Sequence, residues 1–216
     1  MENFFSTFEY LLGSYPFLIT VNILAFSLKT CLLFFLAINS SKNKNQKLFL
    51  YLSLMLIGAI VEDFAWLMIL LKESIFTNIN TLTFSAILLF VRLAWVFYAI
   101  EYQCLALFLE NLAYQNAKLN LRQIVSISIT TLFCVAFIIT AFSNFYSLQP
   151  TFNLLLIESL FSIYAIFILI PSSLICAYRY IRHAKTPLIL KKQFGVLVKI
   201  FIFPRLLADL IQYYPF

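Results

Sequence analysis

The chain has 216 residues, of which 63% are hydrophobic, only 11% are charged and three are glycine. A soluble domain is usually about 45–50% apolar and about 25% charged. A domain of this size cannot hide so large an excess, because much of its surface stays in water. The composition excludes a soluble enzyme, a disordered chain, a nucleic-acid-binding domain and an outer-membrane barrel. It predicts an all-α, polytopic transmembrane helix bundle that forms a single membrane domain over residues 1–216.

Six apolar segments are long enough for helices that cross a bilayer, which takes about 20 residues. In chain order they cover about 15–38, 48–71, 82–109, 124–142, 152–177 and 194–214. The third is longer than a bilayer requires, so we expect it to tilt or to project beyond the membrane. Pro171 in the fifth segment and Pro204 in the sixth are each expected to free a backbone carbonyl one turn earlier.

The basic residues between the segments predict the orientation. Ten of them lie in the connections that follow spans one, three and five: Lys42, Lys44, Lys47, Lys118, Arg122, Arg179, Arg182, Lys185, Lys191 and Lys192. The opposite connections offer only Lys72. By the positive-inside rule, the N-terminus lies outside a cell membrane and the three basic loops lie in the cytoplasm. The loop from Arg179 to Lys192 is expected to meet anionic lipid headgroups there.

Nine ionisable side chains lie within the predicted spans: Lys29, Glu62, Asp63, Arg92, Glu101, Glu158, Lys199, Arg205 and Asp209. A charge at the bilayer centre costs roughly 2.5–3.5 kcal/mol, so these side chains should face the bundle interior, a wet cavity or one another. Four of them, Lys29, Glu62, Asp63 and Arg92, are predicted at a common depth, where either cation can neutralise the two carboxylates. We predict that these four residues form a polar cluster with Trp66 and Trp95 as its aromatic walls.

Two interpretations of these charges stay open. Buried charge pairs in a membrane bundle can be purely architectural and fix the register of neighbouring helices. Alternatively, the polar cluster binds a small ligand, an ion or a proton. For Arg205 and Asp209, which are four residues apart, a buried ion pair within one helix is the favoured interpretation.

The third span carries polar residues on two faces. Arg92, Trp95, Gln103 and Glu110 share one face by helical spacing, and Glu101 falls on the opposite face. This pattern predicts a central helix that contacts neighbours on both sides.

Motifs of soluble-enzyme chemistry are missing from the sequence. His183 is the only histidine, so a multi-histidine zinc or haem site is excluded. We therefore expect no metal, no cofactor and no catalytic residue, and whether the chain is an enzyme is left open. The four cysteines form no C-x-x-C pair and are interpreted as small buried hydrophobic residues: Cys31, Cys104, Cys134 and Cys176.

The stretch Arg92-Leu-Ala-Trp95, continuing into Gln103-Cys-Leu-Ala-Leu-Phe-Leu, resembles the third helix of the seven-helix membrane sensor domains of bacterial signalling proteins. The outside N-terminus, the short basic first loop and the tryptophan in the second span are similar too. The resemblance implies a domain that detects small ligands or membrane state and signals to a cytoplasmic output module. No seventh span or output module is visible here, so a cytoplasmic signalling partner or a homo-oligomer is expected, unless the chain is a fragment or a divergent paralogue.

The order and spacing of Lys29, the stretch from Gly58 to Asp63, and Arg92-x-x-Trp95 is similar to that in lysoplasmalogenase-like membrane hydrolases. That resemblance implies an enzyme that acts on lipid. The chain departs from those hydrolases because no proline follows Lys29, Glu62 stands for the usual glycine and Arg92 replaces a histidine. A sensor- or receptor-type domain is the preferred function, a membrane enzyme acting on lipid is the alternative, and a small transporter subunit comes third.

Overall fold

The computed structural model describes residues 15–40, 46–75, 81–114, 119–143, 152–183, 192, 194–196, 198–203 and 206–207. Four long helices come first: α1 (Tyr15–Ser40), α2 (Gln46–Ile75), α3 (Thr81–Tyr114) and α4 (Leu121–Ser143). A continuous helical rod follows, made of α5 (Phe152–Ile163), a π-helical segment (Tyr164–Leu169) and α6 (Ile170–His183). A short π-helical turn covers Val198–Ile202.

Five stretches of helix within the described residues are long and apolar enough to cross a membrane. They are Ile19–Ile38, Leu48–Met68, Ser85–Asn111, Leu121–Ser143 and Asn153–Arg179. The all-helical class and a multi-span membrane protein are therefore confirmed. About half of the sixth predicted span lies outside the described residues, including Pro204, Arg205 and Asp209. Six spans and the outside N-terminus stay predictions.

The bundle is built around α3. This helix packs against α2 on one side and against α4 and α6 on the other, while α1 packs on α2 at the edge of the bundle. The side chains of α3 between Tyr98 and Glu110 are almost all buried. On α1, by contrast, Leu24 and Leu28 are 64% and 73% exposed. The prediction that the third span contacts neighbours on both sides is confirmed.

Aromatic rings fill the space between α3, α4 and α5. The fully buried Phe161 ring lies with its centroid 5.3 Å from that of Phe133, 5.8 Å from Tyr98 and 6.0 Å from Phe137. All three contacts are edge-on, with interplanar angles of 71° to 76°, which is a favoured geometry for aromatic pairs. Since lipid tails are as apolar as these rings, close packing, not removal of water, holds the helices together.

The fifth span widens into the π-helical segment just before Pro171. The N–H of Ile170 donates to the carbonyl of Ala165, five residues earlier. Proline has no N–H, and its ring would clash with the carbonyl four residues back in a regular α-helix. The wider turn accommodates that ring, as π-bulges commonly do at irregular points in helices. It also changes the angular register of α6, which carries Ser172 and Ser173.

The helices α2 and α3 cross closely at Gly58. A Cβ atom at this position would lie 2.8 Å from the carbonyl oxygen of Phe97 and 2.9 Å from the Cβ of Glu101. Small residues at such crossings allow two membrane helices to make close backbone contact. The absence of a side chain at Gly58 therefore sets the distance between α2 and α3.

Substitution Gly58→Ala is expected to lower the free energy of unfolding by about 1–3 kcal/mol, because the backbone of α3 must move to admit the methyl group. Gly195→Ala is the matched control, since nothing lies within 4 Å of its added Cβ. Reversible unfolding in mixed detergent micelles measures both variants. Equal stability of the two variants would contradict the close crossing.

Candidate functional site: two polar clusters on the central helix

An ion pair between Lys29 and Asp63 joins α1 to α2. The Lys29 Nζ donates to Asp63 Oδ1 at 2.8 Å and also lies 2.8 Å from Oδ2. The two side chains are 26% and 13% exposed, and α1 and α2 are both apolar helices long enough to span a membrane. A single charge there would be costly, so each residue needs the other. Lys29 is therefore a cation that binds Asp63.

A small pocket lies between α2 and α3, and its lining includes Glu62, the residue next to Asp63 in the chain. Its volume is about 50 Å³, and its walls include Glu62 and Trp66 of α2 and Trp95 and Tyr98 of α3. A buried water needs roughly 10–15 Å³, whereas a site for a drug-sized ligand has about 300–1,000 Å³. The pocket therefore admits a few waters or an ion of similar size.

The structure describes all six residues of the predicted polar cluster. Lys29 and Asp63 form an ion pair, and Glu62 lines the pocket together with Trp66 and Trp95. Arg92 is buried on α3, at 5% exposure, where it interacts with its surroundings but does not line the pocket.

Gln103 forms a polar bridge from the middle of α3 to α4. The hydroxyl of Thr130 donates to Gln103 Oε1 at 2.8 Å, and Gln103 Nε2 donates to Ser126 Oγ at 3.0 Å. The Ser126 hydroxyl in turn donates to the carbonyl of Gln123 at 3.0 Å. Hydrogen bonds of this kind fix the rotation of one membrane helix against another. Gln103 therefore holds the buried face of α3 towards α4.

A second cluster joins α3, α4 and α6 at the end of the bundle where the predicted basic loops lie, which we call the basic end. This junction cluster consists of Glu110, Arg122, Ser172, Ser173 and Cys176. Arg122 Nη2 lies 2.8 Å from Glu110 Oε1 and donates to Ser172 Oγ at 2.9 Å and Ser173 Oγ at 3.1 Å. Ser173 Oγ donates to Glu110 Oε1 at 2.9 Å, and Arg122 Nη1 contacts Cys176 Sγ. One guanidinium therefore binds side chains on two other helices.

The two charges of the junction cluster are buried to different extents. The Glu110 side chain is 4% exposed and that of Arg122 is 35% exposed. Glu110 lies near the C-terminus of α3 and Arg122 in the first turn of α4, where the helix dipole opposes each charge. Their mutual attraction offsets both effects. The second carboxylate oxygen of Glu110 is buried without a hydrogen-bond partner in the described part of the chain.

A helix cap positions Arg122. The N–H of Gln123 donates to Asn120 Oδ1 at 2.8 Å, and the N–H of Asn120 donates to Gln123 Oε1 at 3.1 Å. This reciprocal capping box begins α4 at Leu121. The prediction of Arg122 as a loop residue is therefore corrected, because it lies in the first turn of α4. The Asn-x-x-Gln pattern at 120–123 is the sequence signal that indicates this position.

The four cysteines do not share one environment. Cys104 is buried and Cys134 is partly buried, but Cys31 is exposed on α1. The interpretation of all four as buried hydrophobic residues is therefore wrong for Cys31, because only one face of α1 is covered by α2. Cys176 is partly buried and belongs to the junction cluster. Among the residues that the structure describes, no three histidine, cysteine or carboxylate side chains are grouped to hold a metal ion.

The described fold is that of a multi-span helical membrane protein whose central helix, α3, lines the pocket beside α2 and contributes Glu110 to the junction cluster. Comparisons with models of protein families, with curated proteins and with solved structures find no match. The resemblances to sensor domains and to lysoplasmalogenase-like hydrolases therefore depend on residue order alone and stay predictions.

Substitution Lys29→Met is expected to destabilise the protein by about 3 kcal/mol, because it leaves the Asp63 carboxylate without its cation. The double variant Lys29→Met/Asp63→Asn should recover most of that loss, since no unpaired charge remains. Leu28→Met, at an exposed position next to Lys29, is the control. Folded yield and unfolding in detergent measure the cycle. Additive losses in the double variant would show that the two side chains are not coupled.

The unequal burial of the junction pair predicts an asymmetric response. Substitution Arg122→Met should cost about 3 kcal/mol or more, because Glu110 cannot reach water. Glu110→Gln should cost only about 1 kcal/mol, since Arg122 keeps its serine partners and partial exposure. The exposed Arg179→Met serves as the control. Unfolding in mixed micelles measures all three variants, and a larger loss for Glu110→Gln than for Arg122→Met would contradict this account.

Proposed function

We propose that the chain is a sensor- or receptor-type membrane domain. Occupancy of the pocket between α2 and α3 by a small ligand or a proton would be transmitted along α3 to the junction cluster. The observation that supports this most directly is that one helix contributes to both places. Trp95 and Tyr98 of α3 line the pocket, and Glu110 of the same helix binds Arg122 of α4 and Ser173 of α6.

The walls of the pocket favour a small cation or a proton as the occupant. Glu62 contributes a carboxyl group, while Trp66 and Trp95 contribute indole rings whose faces attract cations. The volume of about 50 Å³ limits the occupant to the size of a few water molecules. Ammonium is a probe of suitable charge and size, whereas tetramethylammonium is too large.

Ring contacts connect the α3 wall of the pocket to α4 and α5. The Trp95 ring stacks on Phe137 of α4 with centroids 6.0 Å apart, and lies edge-on to Tyr98 at 5.1 Å. Tyr98 in turn contacts Phe161 of α5. From Trp95 to Glu110, α3 rises about 22 Å. Coupling over such a distance needs an element with two arrangements that both sites bias, and α3 is the element that meets both.

In the predicted orientation, the pocket lies towards the outer half of the membrane and the junction cluster lies towards the cytoplasm. A change at the pocket would then alter the packing of α4 and α6 on the cytoplasmic side. A cytoplasmic signalling partner or a second copy of the chain would read that change.

The two tryptophans of the chain both line the pocket, so intrinsic fluorescence reports on its occupancy. An environment-sensitive, pH-independent fluorophore on Leu119→Cys, in a background in which the exposed Cys31 is replaced by Ser and Cys176 is kept, reports on the basic end beside α4. The protein in nanodiscs is titrated with ammonium chloride, and separately from about pH 8 to about pH 5. We expect tryptophan and label signals to change together in at least one titration, and tetramethylammonium chloride to change neither.

The substitution Glu62→Gln should abolish both signals, because it removes the carboxylate of the pocket. Glu158→Gln is the matched control, since Glu158 is a buried carboxyl group on α5 that does not line the pocket. A tryptophan response without a label response would show that the pocket binds its ligand but would refute the proposed transmission to the basic end. No response in either titration would refute both.

A further inference from the structure

A groove of about 400 Å³ lies at the basic end of the bundle, between α6 and residues 194–195 and 198–199. Its volume is within the range of sites that bind small molecules, about 300–1,000 Å³. The cations Arg182 of α6 and Lys199 of the π-helical turn both line it, and Tyr178, Ile181 and Phe194 supply aromatic and aliphatic walls. None of the five junction-cluster residues lines the groove.

We propose that this groove binds one anionic phospholipid from the membrane leaflet next to the basic loops. The phosphate binds between Arg182 and Lys199, and the first part of an acyl chain follows the walls formed by Tyr178, Ile181 and Phe194. This proposal is independent of the sensor function proposed above, since it uses different residues and a different ligand.

Charge complementarity is the first argument. Among the described residues, those that line the groove include two cations and no carboxylate, and both cations are exposed. A guanidinium offers paired N–H donors to a phosphate, and an ammonium adds a mobile point charge. A basic residue near an anionic membrane surface strengthens binding by about fivefold.

The depth of the groove is the second argument. The apolar stretch of the fifth span ends at Arg179, and Arg182 lies within one helical turn beyond it. Its guanidinium is therefore expected at the level of the lipid phosphates, where Tyr178 also occupies the interfacial position that tyrosine favours. The leaflet that carries anionic lipid is the cytoplasmic one, which is the side predicted for the basic loops.

Lys199 is the third argument. The sequence places this lysine near the start of the predicted sixth span, where an isolated cation would be costly. In the structure it lies in the π-helical turn Val198–Ile202, is exposed and faces the same groove as Arg182. A long lysine side chain can reach a phosphate at the interface while its stem stays among apolar groups. A bound phosphate therefore explains why a cation is tolerated here.

The test compares lipid binding to the intact chain and to variants by native mass spectrometry from neutral detergent. Dioleoylphosphatidylglycerol and dioleoylphosphatidylcholine are added in turn. We expect the parent chain to retain one phosphatidylglycerol more tightly than phosphatidylcholine. Arg182→Gln and Lys199→Gln should each weaken that binding about fivefold, whereas Arg182→Lys should weaken it less.

Two further variants distinguish lipid binding in the groove from attraction of lipid to the general surface charge. Lys192→Gln removes an exposed cation that does not line the groove and should leave binding unchanged. Gly195→Leu keeps both cations but fills the groove, because nothing lies within 4 Å of a Cβ at this position, so it should abolish retention. An unchanged melting temperature in detergent shows that each variant is folded.

Three results would overturn the proposal. The first is equal retention of the anionic and the zwitterionic lipid. The second is equal weakening by Lys192→Gln and Lys199→Gln, which would indicate general charge attraction. The third is binding of soluble glycerol phosphate as tight as that of phosphatidylglycerol, which would assign the site to a free phosphate or an acidic partner instead.

Discussion

The position of α3 follows from one physical constraint, the cost of a charged side chain in contact with hydrocarbon. Three buried ionisable residues lie on this helix, Arg92, Glu101 and Glu110, at exposures of 5%, 8% and 3%. Because they fall on different faces, only a helix surrounded by others can cover them all. The aromatic cluster around Phe161 and the close crossing at Gly58 both serve to enclose α3.

The peripheral helix α1 shows the same constraint in a simpler form. Its outer face is apolar and exposed, and its single charged residue, Lys29, is directed to Asp63 of α2. One ion pair is enough to orient α1, because a helix with one charged residue has only one face that must be turned inwards. α3 has several such residues, and its orientation therefore depends on three neighbours.

Much of the fold could be predicted from the sequence because apolar runs of about 20 residues are a strong signal for spanning helices. The sequence also offers two cations as partners of Asp63, and the structure shows Lys29 bound to it. The junction cluster could not be predicted in this way. Arg122 binds Ser172 and Ser173, which are 50 and 51 residues distant in the chain. Their orientation also depends on the π-helical segment that precedes Pro171.

Arg122 also shows why a correct use of one signal can hide another. Counting it among the basic loop residues supports an orientation for the whole chain, but the same count removes it from the candidates for a buried site. The capping box formed by Asn120 and Gln123 shows that the helix begins just before Arg122. Arg122 lies at the start of the apolar helix Leu121–Ser143, where its 35% exposed side chain can contribute to the predicted orientation and still bind Glu110.

The two proposed ligands would both act on Arg122 of the junction cluster. Ser172, Ser173 and Cys176 bind Arg122, and one to two turns further on Tyr178 and Arg182 line the groove. A phospholipid bound in the groove would restrain the end of α6, and through it the serines that hold Arg122. In the proposed sensor function, a ligand in the pocket would act on the same guanidinium through Glu110 of α3, which binds it. A ligand in the pocket and a lipid in the groove would therefore alter each other's affinity to the same extent, as linkage requires of two sites that bias one element.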